Sequence, residues 1–252
     1  DFDGTLARGD VPLPGLVAFH AALVCQGIAF TVVTNNSTRS PREYAAKLAS
    51  FGVSLQHDQV LTASVATAAF LRQKFPRGAS LFVIGESGLR TELAAAGFHI
   101  TDFSASNADA VVVGGDRDLT YAALRTAVRC VLRGAMFVGT NPDLLVPDED
   151  ELVPEAGVNL AAIQAATGIA PIVIGKPERP LLDIAMARMG SSPQDTAIIG
   201  DRAETDIAGG KRLGLATILV TTGVDDALSA AKKGIEPDLV APGLDAVASW
   251  WR

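Results

Sequence analysis

The chain has 252 residues, of which 48% are hydrophobic and 19% charged, and a formal net charge of −7. That composition suits one large domain or two smaller ones with real cores and excludes a disordered chain, which needs fewer apolar residues and more net charge. The acidic balance argues against a nucleic-acid groove or a membrane-surface patch, both of which need clustered Lys and Arg, and no apolar run reaches the ~18–20 residues of a membrane span.

The elements follow a regular order. After the opening "DFDGTL", the stretch "PGLVAFHAALVCQG" has helical spacing, and "IAFTVVT" (Ile28 to Thr34) is β-branched and apolar without alternation, as in a strand covered on both faces. A helix starts at Ser40-Pro41, an N-cap and N1 pair, and stops at Gly52; "LTASVATAAFLRQKF" gives the next. Apolar strands then begin at Ser80, Ala108, Pro171, Thr196 and Ala216. Helical patterns alternate with them: "TYAALRTAVRCVLRG", "PERPLLDIAMARMG", closed by Gly190, and "ETDIAGGKRLG". Strands alternating with helices imply parallel βαβ units and an α/β fold with a Rossmann-like doubly wound sheet. The linkers "PRGAS" (Pro76 to Ser80) and "GKPERP" (Gly175 to Pro180) bracket an insertion, giving a core of residues 1–78 and 175–252 and an inserted α/β subdomain over 79–174.

Ligands of open parallel sheets bind beyond the carboxyl ends of the strands. The polar groups found there are Thr34-Asn35-Asn36, then Lys176 after "IVIG", then Asp201 after "AIIG" with Asp206 five residues on. If Asp1 and Asp3 also end a strand, hydroxyl, amides, one cation and several carboxylates converge on one crevice. Clustered carboxylates repel unless a hard cation neutralises them, and oxygen ligands without His or Cys select Mg²⁺. A phosphoryl group beside such a metal needs further positive charge and hydrogen-bond donors, for which Lys176 and Thr34 are of the right type. One carboxylate can attack phosphorus while another, two residues on, handles the protons.

"DFDGTL", "VVTNNS", "GKP" and "GDRAETDI", in that order, resemble the haloacid-dehalogenase-like hydrolases, and within them the branch of NagD-type and 4-nitrophenyl-phosphatase-like enzymes with a large α/β cap. The resemblance runs over nearly the whole chain. It implies a Mg²⁺-dependent phosphatase acting on small phosphomonoesters through an aspartyl-phosphate. In that reading Asp1 is the nucleophile and Asp3 the general acid/base, while Thr34, the amides around Asn35 and Lys176 hold the phosphoryl group. The metal is held by Asp1, the Asp3 carbonyl and Asp201, with Asp206 behind them and Asn36 beside the phosphate loop. Asp at position 3 points to ester hydrolysis or, less often, phosphoryl transfer between sugar phosphates. In the family the first Asp ends a buried strand, so a strand upstream of Asp1 is expected in the working protein. Two isolated thiols, Cys25 and Cys130, suit a reducing cytoplasm, and the resemblance implies a small phosphorylated metabolite as partner and a homodimer through the cap that the apolar helices permit.

Other residues read more plainly. "TNPD" (Thr140 to Asp143) either brings Asn141 and Asp143 to the site as cap contacts or is a Pro-bearing turn. His20, His57 and His99 lack paired spacing and read as ordinary surface or core residues, and Arg117 and Asp118 as loop and cap residues. Cys25 and Cys130 read as core thiols, and Trp250 and Trp251 as packing the last helix onto the core. A phospho-accepting receiver-like signalling module uses the same residue types but is about half this length, and no strand leads into the glycine motif of a dinucleotide-binding domain.

Overall fold

The computed structural model describes residues 1–148 and 151–250. The chain forms two compact α/β units, each built on parallel strands. One comprises Asp1–Thr34, Pro41–Leu61 and the chain from Lys176 onward; the other comprises Asn35–Ser40 and Thr62–Gly175. The second unit therefore starts at Thr62, not at residue 79, and also takes in the six residues after Thr34. The reason is packing. Helix Ala63–Lys74 lies against helix Ser87–Ala95, and the Ser64 hydroxyl donates to the Ser37 carbonyl at 2.8 Å.

In the first unit, strands Ala197–Gly200, Ala216–Val220 and Leu239–Ala241 make a parallel sheet in that order, and Val32–Thr34 pairs with Val60–Thr62. The single doubly wound sheet expected for this unit is thus described as two pieces, joined by a shared core. Phe2, Val32, Tyr44, Leu48 and Val60 cluster there with Ile218, Val220, Ala241 and Leu244. Phe2 is fully buried, edge-on to Tyr44 with ring centroids 4.7 Å apart, which fixes the backbone of the residues on either side of it. Helix Leu16–Cys25 turns Leu16, Phe19 and Leu23 inward. Cys25, two residues past Leu23, lies about 200° further round the helix and is exposed, so only Cys130 is a core thiol. Gly27 ends this helix with positive φ, and the Ile28 amide returns to the Leu23 carbonyl, so the strand begins only at Val32. Trp250 is 45% exposed and does not pack as expected, while Trp251 lies outside the described residues.

The second unit carries a five-stranded parallel sheet in the order Ile172–Val173, Met136–Gly139, Ala110–Val113, Ser80–Ile84, His99–Ile100. Its central strand Ala110–Val113 is buried throughout, as an unbroken apolar run requires. Helix Tyr121–Leu132 starts at Thr120, whose hydroxyl accepts from the Ala123 amide at 3.2 Å, and buries Ala123, Thr126, Ala127, Cys130 and Val131 along one face. Helices Ser87–Ala95 and Ala156–Thr167 and the antiparallel pair Leu145–Asp148 with Glu151–Pro154 were not evident in the sequence pattern. No helix among the described residues is long and apolar enough to cross a membrane.

The loop Asn35–Ser40 lies along the carboxyl ends of this sheet. Ser37 Oγ is 3.4 Å from Thr140 Oγ1, and Gly88 at the start of the Ser87–Ala95 helix meets the Thr38–Arg39 backbone. A Cβ at Gly88 would come within 2.6 Å of the Thr38 carbonyl carbon. Gly→Ala inside a helix ordinarily stabilises by about 0.5–1 kcal/mol. Here backbone atoms block the methyl, and Gly88→Ala is expected instead to destabilise by about 1–3 kcal/mol in urea unfolding.

Candidate active site

Three chain segments bring acids and one lysine together in the first unit. Asp1 lies beside the Ala197–Gly200 strand, its backbone nitrogen donating to the Ile199 carbonyl at 2.8 Å. From Phe2 the chain turns tightly: the Leu6 amide bonds to the Phe2 carbonyl and the Gly4 amide to the Ala7 carbonyl, both at 2.8 Å. Gly4 has φ +73°, and a Cβ on it would overlap the Asp201 carboxylate. Asp201 follows directly on Gly200, and Asp206 sits in a single wide π-type turn, Ala203–Ile207, that leads into helix Ala208–Leu213.

Lys176 is 1% exposed. Its Nζ donates to Asp1 Oδ1 at 2.7 Å and to Asp206 Oδ1 at 2.6 Å. Asp206 also accepts through Oδ2 from the Arg202 amide at 3.2 Å. Asp201 is equally buried: Oδ2 accepts from the Val224 amide at 2.8 Å, while Oδ1 has no hydrogen-bond partner. Asp1, Asp201 and Asp206 each offer one oxygen, and these three oxygens lie within 4.8 Å of one another. Three carboxylates against one ammonium leave an excess of two negative charges, the charge of one divalent cation. A buried unpaired carboxylate oxygen in an all-oxygen donor set fits a hard divalent metal. Burial, and next the charge of Asp206, pushes the Asp201 carboxyl up to about 6.

Of the residues singled out in the sequence, Asp1, Lys176, Asp201 and Asp206 are brought together. The Asp3 side chain is exposed, and the carboxylates that cluster are those of Asp1, Asp201 and Asp206. Thr34 ends its strand and is buried. Asn35, Asn36, Asn141 and Asp143 belong to the second unit. Asn36 Oδ1 accepts from the Thr38 amide and hydroxyl, both at 2.8 Å, closing a local turn. Asn141 is fully buried and donates to the Asn35 carbonyl at 2.9 Å, while Asn35 Nδ2 donates to Asp143 Oδ2 at 3.0 Å.

Sequence reasoning missed the supports around Asp201. Gly223 and Gly200 leave room for the carboxylates, since a Cβ at either would overlap Asp201 or Asp206 respectively. Asp225 donates its amide to the Asp201 carbonyl at 2.9 Å and accepts from the Ala203 amide at 2.9 Å, Ser229 and Lys233, which hold its carboxyl below the usual range despite burial. A glycine at the end of one apolar strand, in "IIGD", and one three residues past another, in "VTTGVDD", were the only available signal.

Two family models match, one described as haloacid dehalogenase-like hydrolase over residues 1–99 and one as HAD-like hydrolase over 173–247. A dihydroxyacetone phosphatase of Corynebacterium glutamicum is 36% identical over 251 residues, covering 100% of this chain and 90% of that protein. The chain belongs to the haloacid dehalogenase-like hydrolases. Its α/β architecture is that of the family, including the 4-nitrophenyl-phosphatase-like branch. A p-nitrophenyl phosphatase from Archaeoglobus fulgidus superposes with TM-score 0.94 at 35% identity, over 99% of this chain and 97% of that one. A glycerol phosphate phosphatase from Mycobacterium tuberculosis, solved in complex with magnesium, gives 0.87 at 32%, over 98% and 74%. This haloacid dehalogenase-like chain is accordingly a phosphatase acting on small phosphorylated molecules.

Asp201 also makes the metal-free enzyme pH-sensitive. Its folded pKa lies above the unfolded value of 3.8, so between about pH 4 and 6 the folded state binds more protons and stability falls as pH rises. In EDTA, wild type is expected to lose up to about 3 kcal/mol across that window relative to Asp201→Asn, read by urea unfolding at each pH.

Proposed function

We propose that the Asp1–Lys176–Asp201–Asp206 cluster is the centre of a Mg²⁺-dependent phosphomonoesterase working through an aspartyl-phosphate. The observation that carries this reading is the Lys176 ammonium shared between Asp1 and Asp206, beside the unpartnered Asp201 Oδ1. The magnesium-bound phosphatase among the relatives supports the choice of metal.

In this mechanism Asp1 attacks the phosphorus of the ester and displaces the alcohol. Lys176 aims Asp1 through its bond to Oδ1, while Asp206 holds the ammonium from the other side. Asp3 gives its proton to the departing oxygen, then takes one from the water that attacks the acyl-phosphate. That second step releases orthophosphate and restores the Asp1 carboxylate. The Thr34 hydroxyl and the Asn35 amide donate to the non-bridging phosphoryl oxygens. Asp1, the Asp3 carbonyl and Asp201 would hold Mg²⁺, which supplies neutralisation of the phosphoryl charge when bound. Asp206, whose two oxygens are engaged by Lys176 and Arg202, orients that set from behind.

The second unit is the family's cap and carries substrate discrimination. The substrates named for two relatives are three-carbon phosphates, so glycerol phosphate and dihydroxyacetone phosphate head the panel of esters to be ranked by kcat/KM.

The expected outcome is hydrolysis of 4-nitrophenyl phosphate that EDTA abolishes and Mg²⁺ restores. Asp1→Asn should lower kcat by at least about 10³-fold and Asp3→Asn by about 10²–10⁴-fold. Metal-independent turnover, or full activity in Asp1→Asn, would overturn the mechanism. A further check concerns Lys176→Met, which removes the shared ammonium and leaves Asp1 and Asp206 facing each other. It should abolish turnover while retaining the fold seen by circular dichroism in the presence of Mg²⁺.

A further inference from the structure

Within the first unit, the two oxygens of the buried Asp201 carboxylate meet different surroundings. Oδ2 accepts from the Val224 amide at 2.8 Å. Two glycines wall in the same oxygen, since a Cβ on Gly223 or on Gly4 would overlap Oδ2. Oδ1 is also buried but has no hydrogen-bond partner among the described residues. The backbone thus fills one oxygen and leaves the other over. The acids beside it are committed too. Asp206 accepts through Oδ1 from Lys176 at 2.6 Å, and through Oδ2 from the Arg202 amide at 3.2 Å and the Thr205 hydroxyl at 3.4 Å. Asp1 accepts through Oδ1 from Lys176 at 2.7 Å.

The Gly223–Val224 peptide that covers Oδ2 is pinned on both sides. Before it, the Thr222 hydroxyl donates to the Gly4 carbonyl and Arg8 Nη2 donates to the Thr222 carbonyl, both at 2.7 Å. After it, the Asp225 amide donates to the Asp201 carbonyl at 2.9 Å. The Asp225 carboxylate accepts from the Ala203 amide at 2.9 Å, the Ser229 hydroxyl at 2.8 Å and Lys233 at 3.1 Å. Two consecutive amides therefore touch Asp201 itself, one on its carboxylate and one on its carbonyl. Val224 is 53% exposed, so its amide, and not its side chain, is the part turned to the site.

Divalent cations differ in how they take carboxylates. Ca²⁺ gathers about six to eight oxygens and readily uses both oxygens of one carboxylate, whereas the smaller Mg²⁺ demands an octahedron and keeps several waters. We infer that the Gly223–Val224 peptide is a positioning element that makes Asp201 a one-oxygen ligand, through Oδ1, and so favours Mg²⁺ over Ca²⁺. The inference rests on the metal site proposed above and adds to it the group that selects the ion. Freeing Oδ2 would let Asp201 grip a larger cation with both oxygens. That change costs Mg²⁺ a fixed ligand and costs Ca²⁺ less.

The test compares wild type, Asp201→Ala, Val224→Pro and Gly223→Ala as full chains, stripped with EDTA and dialysed free of it. Each is titrated with MgCl₂ and with CaCl₂ by calorimetry, and thermal unfolding is measured alongside. Val224→Pro removes the amide hydrogen and leaves the Asp201 carboxylate in place. It is expected to weaken Mg²⁺ binding by about 10–100-fold and to change Ca²⁺ binding by less than about twofold, so the preference for Mg²⁺ falls by at least about fivefold. A wild type that binds neither cation, or an Asp201→Ala that binds Mg²⁺ as tightly as wild type, defeats the site assignment itself. With those two controls as expected, the inference falls if Val224→Pro keeps the preference within about twofold of wild type, whether both cations weaken together or neither does. Lower thermal stability with an unchanged preference would give the peptide a structural role only and equally overturns the inference. Should Val224→Pro not fold, Gly223→Ala decides, because its methyl drives Oδ2 off the Val224 amide. The same fall in preference supports the inference, and a wild-type preference overturns it.

Discussion

A single buried ammonium, Lys176 Nζ, is what allows three carboxylates to sit together in a low-dielectric site. An unpaired buried charge is expensive, and removing one partner of such a set costs more than the pair contributes. Here the lysine pairs with Asp1 and Asp206, and the remaining acid, Asp201, has only one of its two oxygens satisfied. The cluster thus carries two excess negative charges and one unpartnered carboxylate oxygen, which suits one divalent cation. Other local features serve that balance. Gly4, Gly200 and Gly223 carry no Cβ where the Asp201 and Asp206 carboxylates must fit, and the Asp225 network ties the loop after Val220 to the backbone of Asp201 and Ala203.

The same balance explains why the acids are not interchangeable. Asp206 spends its oxygens on Lys176 and the Arg202 amide, so it orients the lysine and the turn that follows the Ala197–Gly200 strand. Asp1 spends Oδ1 on the lysine from a part-buried position. Asp201, the most desolvated without a cation to pair with, is the one whose proton affinity is raised. Asp3 is exposed, which suits the proton-handling role proposed for it.

Much of this was legible in the sequence because it depends on chain-local rules. Acids and a lysine placed directly after apolar strands are predictable from the parallel-sheet pattern, and Asp1, Lys176, Asp201 and Asp206 duly meet. What was not legible depends on contacts distant in the chain. The loop Asn35–Ser40 packs with residues 62–175 because Ser37, Thr38 and Asn35 meet Ser64, Gly88 and Asn141, and no local pattern announces that. Cys25 shows the opposite failure: an apolar helix invites a core assignment, but a 100° step per residue leaves it on the outer face. The antiparallel pair Leu145–Asp148 with Glu151–Pro154 likewise had no counterpart in the sequence pattern.

The division into units gives the site a particular mechanical character. Carboxylates Asp1, Asp201 and Asp206 and the lysine are all fixed within the first unit, by a sheet edge, a tight turn and glycine-lined contacts. The residues next to Thr34 and Lys176 are instead fixed within the second, by the buried Asn141 stretch. The charge set is thus built within one core, and the peptides on the other side of two chain crossings, Thr34 to Asn35 and Gly175 to Lys176, are held within the other. A substitution in the first core should perturb the charge set first, and one in the second should perturb the two crossings first.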